Sequence, residues 1–225
     1  MKRLFFLLLT LCLLLTACDP VGTGSTDSTS ESETHTCTDE NNDNLTDAKP
    51  VIYLYPETET TVHVEVAYQG ELTVTIPPYE NGWTVTAAPD GTLTAKDGKA
   101  YPYLFWEGTA TVVLPMDKGF CVKGKDTEAF LLDILPRLGL IEHEYTEFID
   151  YWLPRMEGNP YNVITFQTDS YEALAPLTVS PAPDSVLRVF MTFRASETPV
   201  DLLEQEIESF TRHGFTVVEW GGREQ

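Results

Sequence analysis

The chain has 225 residues, with 14 Lys and Arg against 35 Asp and Glu, a formal charge of -21. Binding to nucleic acid needs clustered positive charge to displace phosphate counterions, so DNA and RNA are excluded as partner classes. Four cysteines are too few for a disulfide-built scaffold, while 42% hydrophobic and 11% aromatic residues suffice for an ordinary packed core.

The N-terminus carries a targeting pattern. Lys2 and Arg3 precede an apolar run from Leu4 to Leu15 interrupted by Thr10, and Leu15-Thr16-Ala17-Cys18 follows. That run falls short of the roughly 20 residues needed to cross a hydrocarbon core, so residues 1–17 read as a secretory signal peptide. The Leu-x-Ala-Cys ending resembles the bacterial lipobox, which implies that a diacylglycerol is transferred to the Cys18 thiol and that cleavage makes Cys18 the first residue. One acyl chain binds a membrane only reversibly, at about 0.8 kcal/mol per buried methylene, whereas two give a stable anchor. The processed chain would carry 12 basic and 35 acidic residues, a charge of -23, which anionic headgroups repel. Membrane attachment is therefore expected through lipid alone, at the outer face of the cytoplasmic membrane.

From Asp19 to Lys49, eleven of 31 residues are Ser or Thr and eight are Asp or Glu. Such sequence cannot bury enough apolar surface to offset its ordering entropy, so residues 18–49 are expected to form a lipidated cysteine followed by a disordered acidic tether. Within it, Asp39-x-Asn41-x-Asp43-x-x-x-Asp47 resembles the start of a calcium loop. The turn glycine is missing and Pro50 stands where a closing Glu belongs, so a solvated linker is favoured. A Cys37–Cys121 disulfide would close a long loop, but the floppy surroundings of Cys37 favour separate thiols.

Residues 50–118 read as a β-rich domain. Val51 to Tyr55 is an apolar run stopped by Pro56, the pattern of a strand packed on both faces. Period-two strands follow at 62–66, 72–76, 83–87, 92–96, 101–108 and 112–114. Turn sequences such as Asn81-Gly82, Pro89-Asp90-Gly91 and Asp97-Gly98 separate them. This spacing predicts an antiparallel sandwich or barrel-like half.

Residues 119–225 read as an α+β domain. After a loop from Gly119 to Gly124, Asp126 can cap a helix carrying Phe130, Leu131, Ile134, Leu135 and Leu138, ended by Gly139. A second helix from Glu142 carries Tyr145, Phe148, Ile149 and Trp152 on one stripe and stops at Pro154. Strands at 163–168 and 186–194 follow. Thr198 then caps a third helix with Pro199 in its first turn, a buried stripe of Val200, Leu203, Ile207 and Phe210, and Gly214 as its stop. Phe215 to Trp220 forms a last strand, giving an α-α-β-β-α-β order and an α+β fold class.

Four segments carry a resemblance: Lys49-Pro50-Val51-Ile52-Tyr53-Leu54-Tyr55-Pro56-Glu57, Tyr103-Leu104-Phe105-Trp106-Glu107-Gly108, Asn159-Pro160-Tyr161-Asn162 and Val217-Val218-Glu219-Trp220-Gly221-Gly222. They are similar to motifs of a family of uncharacterised secreted or lipid-anchored proteins of Firmicutes-type bacteria. The resemblance spans residues 49–222. It implies a Gram-positive envelope and transfers no catalytic residue.

The usual catalytic constellations are missing from the sequence: there is no Gly-x-Ser-x-Gly, His-Glu-x-x-His or Cys-x-x-Cys, and no phosphate-cradling glycine loop. No catalytic residue, metal ligand set or cofactor is assigned. His143 and Glu147 stand at i, i+4 and can meet one zinc ion only with two ligands from elsewhere, so a solvated acidic helix face is favoured. Glu107 follows Trp106 and Glu219 precedes Trp220, and a carboxyl pressed on an indole can act as a general acid. Converging in one cleft, the two would form a glycosidase-like pair. Trp83, Trp106, Trp152 and Trp220 can stack sugar rings where exposed, although large aromatics normally fill cores. The expectation is a lipid-anchored envelope protein that binds rather than catalyses, with cell-wall glycan or another envelope protein as partner. A wall- or glycan-processing enzyme using acidic residues is the second reading. Trp83, Trp106, Glu107, Glu219 and Trp220 are the expected ligand contacts.

Overall fold

The structure is a computed structural model that describes residues 44–225. The signal segment, Cys18, Cys37 and the calcium-like run up to Asp43 lie outside the described residues. The elements are β1 (Leu45–Tyr55), β2 (Thr60–Val66), β3 (Glu71–Ile76), β4 (Trp83–Ala87), β5 (Leu93–Ala95), β6 (Ala100–Tyr101), β7 (Leu104–Ala110), β8 (Lys118–Lys123), α1 (Thr127–Leu138), α2 (Glu142–Met156), β9 (Tyr161–Gln167), α3 (Asp169–Leu174), β10 (Leu177–Ser180), β11 (Ser185–Ser196), β12 (Leu203–Glu204) and β13 (Thr216–Glu224). The fold is α+β with two sheets.

An eight-stranded sheet, ordered β12-β8-β9-β11-β13-β1-β7-β3, forms the middle of three layers. One face packs on α1 and α2 through Val51, Tyr53, Met191, Phe193 and Trp220. The other packs on a five-stranded sheet, ordered β10-β2-β4-β5-β6, through Ile52, Leu54, Trp106, Phe190 and Val217. Successive side chains of a strand point to opposite faces. The unbroken apolar run Val51 to Leu54 therefore feeds both cores alternately, and all four residues are buried.

Asp47 of β1 and Arg223 of the neighbouring β13 form a fully buried ion pair. The expected tether accordingly ends earlier than Lys49. Leu45, Thr46 and Asp47 pair with Ala110, Thr109 and Gly108 of β7, and the acid that read as a solvated tether residue is locked to an arginine 176 residues away. The expected boundary between 118 and 119 also runs through hydrogen-bonded structure. β3, β1 and β7 from the first part share a sheet with β8, β9, β11 and β13, while β10 from the second part joins the smaller sheet. The described residues, 44–225, fall within one compact unit.

Four local expectations change. The Gly119 to Gly124 loop is strand β8, because Phe120 to Lys123 find ladder partners on β9, and Val112 to Leu114 is irregular. α2 runs through Pro154 to Met156, since a proline near a helix end forfeits one backbone bond rather than breaking the helix. The third predicted helix is an irregular strap. There, Leu203 and Glu204 pair with Lys118 and Gly119, and the Gln205 side chain both accepts from the Phe166 N–H and donates to its carbonyl. Arg212 reaches the Gly139 carbonyl and Glu144. Tertiary hydrogen bonds thus replace the i→i-4 ladder that the local pattern favours. Ile207 and Phe210 still pack on the helical core, while Leu203 is 68% exposed.

Candidate functional site

β1 bulges between Asp47 and Val51. Lys49 sits in this bulge with φ at 58°, a left-handed conformation uncommon outside glycine, and Pro50 follows with no N–H to offer the ladder. Gly221 lies opposite, where a Cβ would meet Pro50 at 2.9 Å. Pro50 of the Lys-Pro motif and Gly221 of the Gly-Gly motif are therefore two halves of one close backbone approach.

The bulge projects Lys49 onto the helical face among aromatic rings. Its Nζ donates to Tyr103 OH at 3.0 Å. It lies 4.9 Å from the Tyr103 ring centroid, 5.4 Å from Phe105, 5.9 Å from Trp220 and 6.0 Å from Tyr151. The Lys49 N–H donates to Glu107 Oε1 at 3.3 Å. The Arg155 guanidinium also approaches Tyr151, at 4.0 Å from its ring centroid. Tyr151 is thus approached by two cations, and burial raises its hydroxyl pKa.

Beside Tyr151, a groove of about 450 Å³ is lined by Leu45, Ala48, Tyr151, Trp152, Arg155 and Glu224. The Trp152 indole N–H is buried without a hydrogen-bond partner. On the far side of Lys49 the helices leave the sheet uncovered. There Val74 and Ile76 of β3, opposite Glu107 and Phe105, are 41% and 47% exposed. Together these surfaces make an aromatic and aliphatic shelf with a basic centre on an otherwise acidic chain.

The expected ligand contacts fall elsewhere, with one exception. Trp83, Trp106, Trp152 and Trp220 are all core residues, so no indole face is open to a sugar ring. Trp83 donates to the Pro77 carbonyl and Trp106 to Glu219 Oε1. Glu219 is buried and also accepts from Arg188 Nε at 2.7 Å, which leaves it charge-paired rather than poised as an acid. Only Glu107 is half-exposed. It lies on the helical face beside Lys49, whereas Glu219 faces the smaller sheet with Trp106, so the two do not share a cleft. His143 and Glu147 do not converge on a vacant point either. His143 Nε2 is 2.9 Å from Tyr55 OH, and Glu147 accepts from Tyr53 OH at 3.1 Å. Among the described residues, no three His, Cys, Asp or Glu side chains come together as metal ligands. Cys121 Sγ accepts the Val200 N–H.

No family model and no solved structure matches this chain. Over 65 residues it is 48% identical to the "Uncharacterized protein in bglA 3'region" of Butyrivibrio fibrisolvens, an alignment covering 28% of this chain and 67% of that protein. The chain belongs to the family of that protein. That membership assigns no ligand or reaction, so the chemistry of the site rests on its own geometry.

Lys49, Tyr103, Tyr151 and Arg155 are the site residues that sequence reasoning missed. Tyr151 and Arg155 stand at i, i+4 on α2, a spacing that brings side chains together on a helix surface, so their contact was legible. The approach of Lys49 was not, because it depends on a bulge with no local signal.

Proposed function

We propose that the protein is a lipid-anchored envelope protein, held through Cys18 at the outer face of the bacterial cytoplasmic membrane, that acts by binding a neutral cell-wall glycan on the shelf around Tyr151. The N-terminal charge, apolar run and Leu-Thr-Ala-Cys sequence support the anchor. The approach of two cations to Tyr151, next to the unpartnered Trp152 N–H, is the observation that carries the binding role. The faces of Tyr151 and Tyr103 left open by Arg155 and Lys49 suit the C–H faces of a pyranose, and the Lys49 and Arg155 donors suit its oxygens. A chain of charge -21 disfavours anionic wall polymers as the main ligand. The pairing of Glu219 with Arg188 removes the support for an acid-pair hydrolase.

Two measurements test this reading. Metabolic labelling with an alkyne fatty acid should mark the protein and fail on Cys18→Ala; label retained by that variant refutes the anchor. Co-sedimentation with purified peptidoglycan should be saturable and weakened roughly 3- to 10-fold by Tyr151→Ala, the scale of one lost aromatic contact. Equal retention of parent and variant, or release of soluble fragments from the glycan, refutes the binding role.

A further inference from the structure

The large sheet ends on β3, whose outer edge has no neighbouring strand among the described residues. Its sequence, Glu-Leu-Thr-Val-Thr-Ile, is rich in β-branched residues and contains neither Lys nor Pro, the residues that commonly guard an open edge. Four of the six residues are exposed, including Val74 and Ile76. A bulge between Leu72 and Val74 is the strand's one visible protection.

We propose that β3 is a self-association edge, through which two copies of the chain pair antiparallel about a two-fold axis and join their large sheets. Pairing with β7 fixes which way the β3 side chains other than Thr73, the bulge residue, point. Glu71, Val74 and Ile76 lie opposite Thr109, Glu107 and Phe105 on the helical face, while Leu72 and Thr75 lie opposite Gly108 and Trp106 on the other. The antiparallel register that pairs all six residues sets Leu72 against the second copy's Thr75 and Glu71 against its Ile76. Both contacts match faces, as the period of two requires. The two Glu71 carboxylates fall at opposite ends, so no like charges oppose each other. An unrelated peptide would need no such self-matching. A two-fold contact of this kind also closes on itself and does not propagate into fibres. The shelves around Phe105 and Tyr103 would then lie on one side of a continuous sheet. The inference is independent of the glycan reading.

A single strand pair buries less than the roughly 1,200 Å² of a standard stable interface, so the dimer should be weak, with a Kd on the order of micromolar or higher. The test is analytical ultracentrifugation of the full chain carrying Cys18→Ala, which removes lipid as a cause of association, from about 1 to about 300 µM. A monomer–dimer equilibrium is expected. Val74→Lys should weaken it at least roughly 10-fold, because edge lysines block strand addition. Ile76→Glu, which opposes the second copy's Glu71, should weaken it about 3- to 30-fold through two symmetric like-charge pairs. Glu71→Lys combined with Ile76→Glu should restore it. Both positions are half-exposed, so folding should survive, and tryptophan fluorescence checks this. A monomer at every concentration, a dimer indifferent to Val74→Lys, or a double variant as weak as Ile76→Glu alone would each overturn the proposal.

Discussion

Replacing Arg223 by Met tests the lock at the start of β1. Arg223 donates Nε to Asp47 Oδ1 at 2.7 Å and Nη2 to Oδ2 at 2.8 Å, and its Nη1 reaches the Val112 carbonyl. Tyr68 OH donates to the same carboxylate, and both charged side chains are fully buried. Such a pair contributes little net stability, because desolvation offsets its attraction, but removing one partner strands the other charge and costs about 3–5 kcal/mol. Set against a total stability of about 5–15 kcal/mol, that is a large fraction. Urea unfolding followed by tryptophan fluorescence should show this loss for Arg223→Met. The double variant Asp47→Asn/Arg223→Met should fall short of the summed single losses by at least about 1 kcal/mol, because the two groups share one interaction. A single variant within about 1 kcal/mol of the parent, or strict additivity, would refute the reasoning. A chain trimmed to begin at Asn44 should keep parental stability, whereas one trimmed to begin at Pro50 should lose at least as much as Arg223→Met.

Further outcomes follow from burial and close approach. Gly222→Ala should cost about 1–3 kcal/mol, since a Cβ there would meet the Met191 carbonyl at 2.5 Å and the Trp152 ring at 2.8 Å. Leu203→Ala on the exposed strap should change stability by less than about 0.5 kcal/mol, whereas Met191→Ala in the core should cost about 2–5 kcal/mol; a large loss at Leu203 would argue for a buried helix there. Burial, seconded by Glu147, raises the Tyr53 hydroxyl pKa, and burial raises that of Tyr171. The unfolded chain sheds these protons near pH 10 while the folded chain keeps them, so the folded state binds more protons above that pH. Stability should hold below pH 10 and fall above it by up to about 1.4 kcal/mol per pH unit for each tyrosine. Denaturation midpoints measured from pH 8 to 11 check this; a midpoint that rises with pH would contradict it.

The elements written in the sequence are those whose signal is local. Val51 to Leu54 announces a strand packed on both faces because four consecutive apolar residues leave no wet side. α1 ends where Gly139 turns left-handed, with φ at 107°. The strap misleads because its apolar spacing is helical while its backbone partners, Lys118, Gly119 and Phe166, lie far away in sequence. Asp47 misleads for the same reason: an aspartate in Ser- and Thr-rich surroundings looks solvated until its arginine is found. The tryptophans were candidate platforms and proved to be core. The site residues themselves lay in plain sight as Lys49 and Tyr103, but only the bulge of β1 brings them together.

The position of β13 has a consequence for how the molecule is made. It pairs antiparallel with β1 and parallel with β11, near the centre of the large sheet, so β1, which also pairs with β7, has its second edge covered only once β13, far away in sequence, is in place. Closure of the large sheet thus waits on a contact between segments far apart in sequence, and such pairing is slow and leaves strand edges open until it forms.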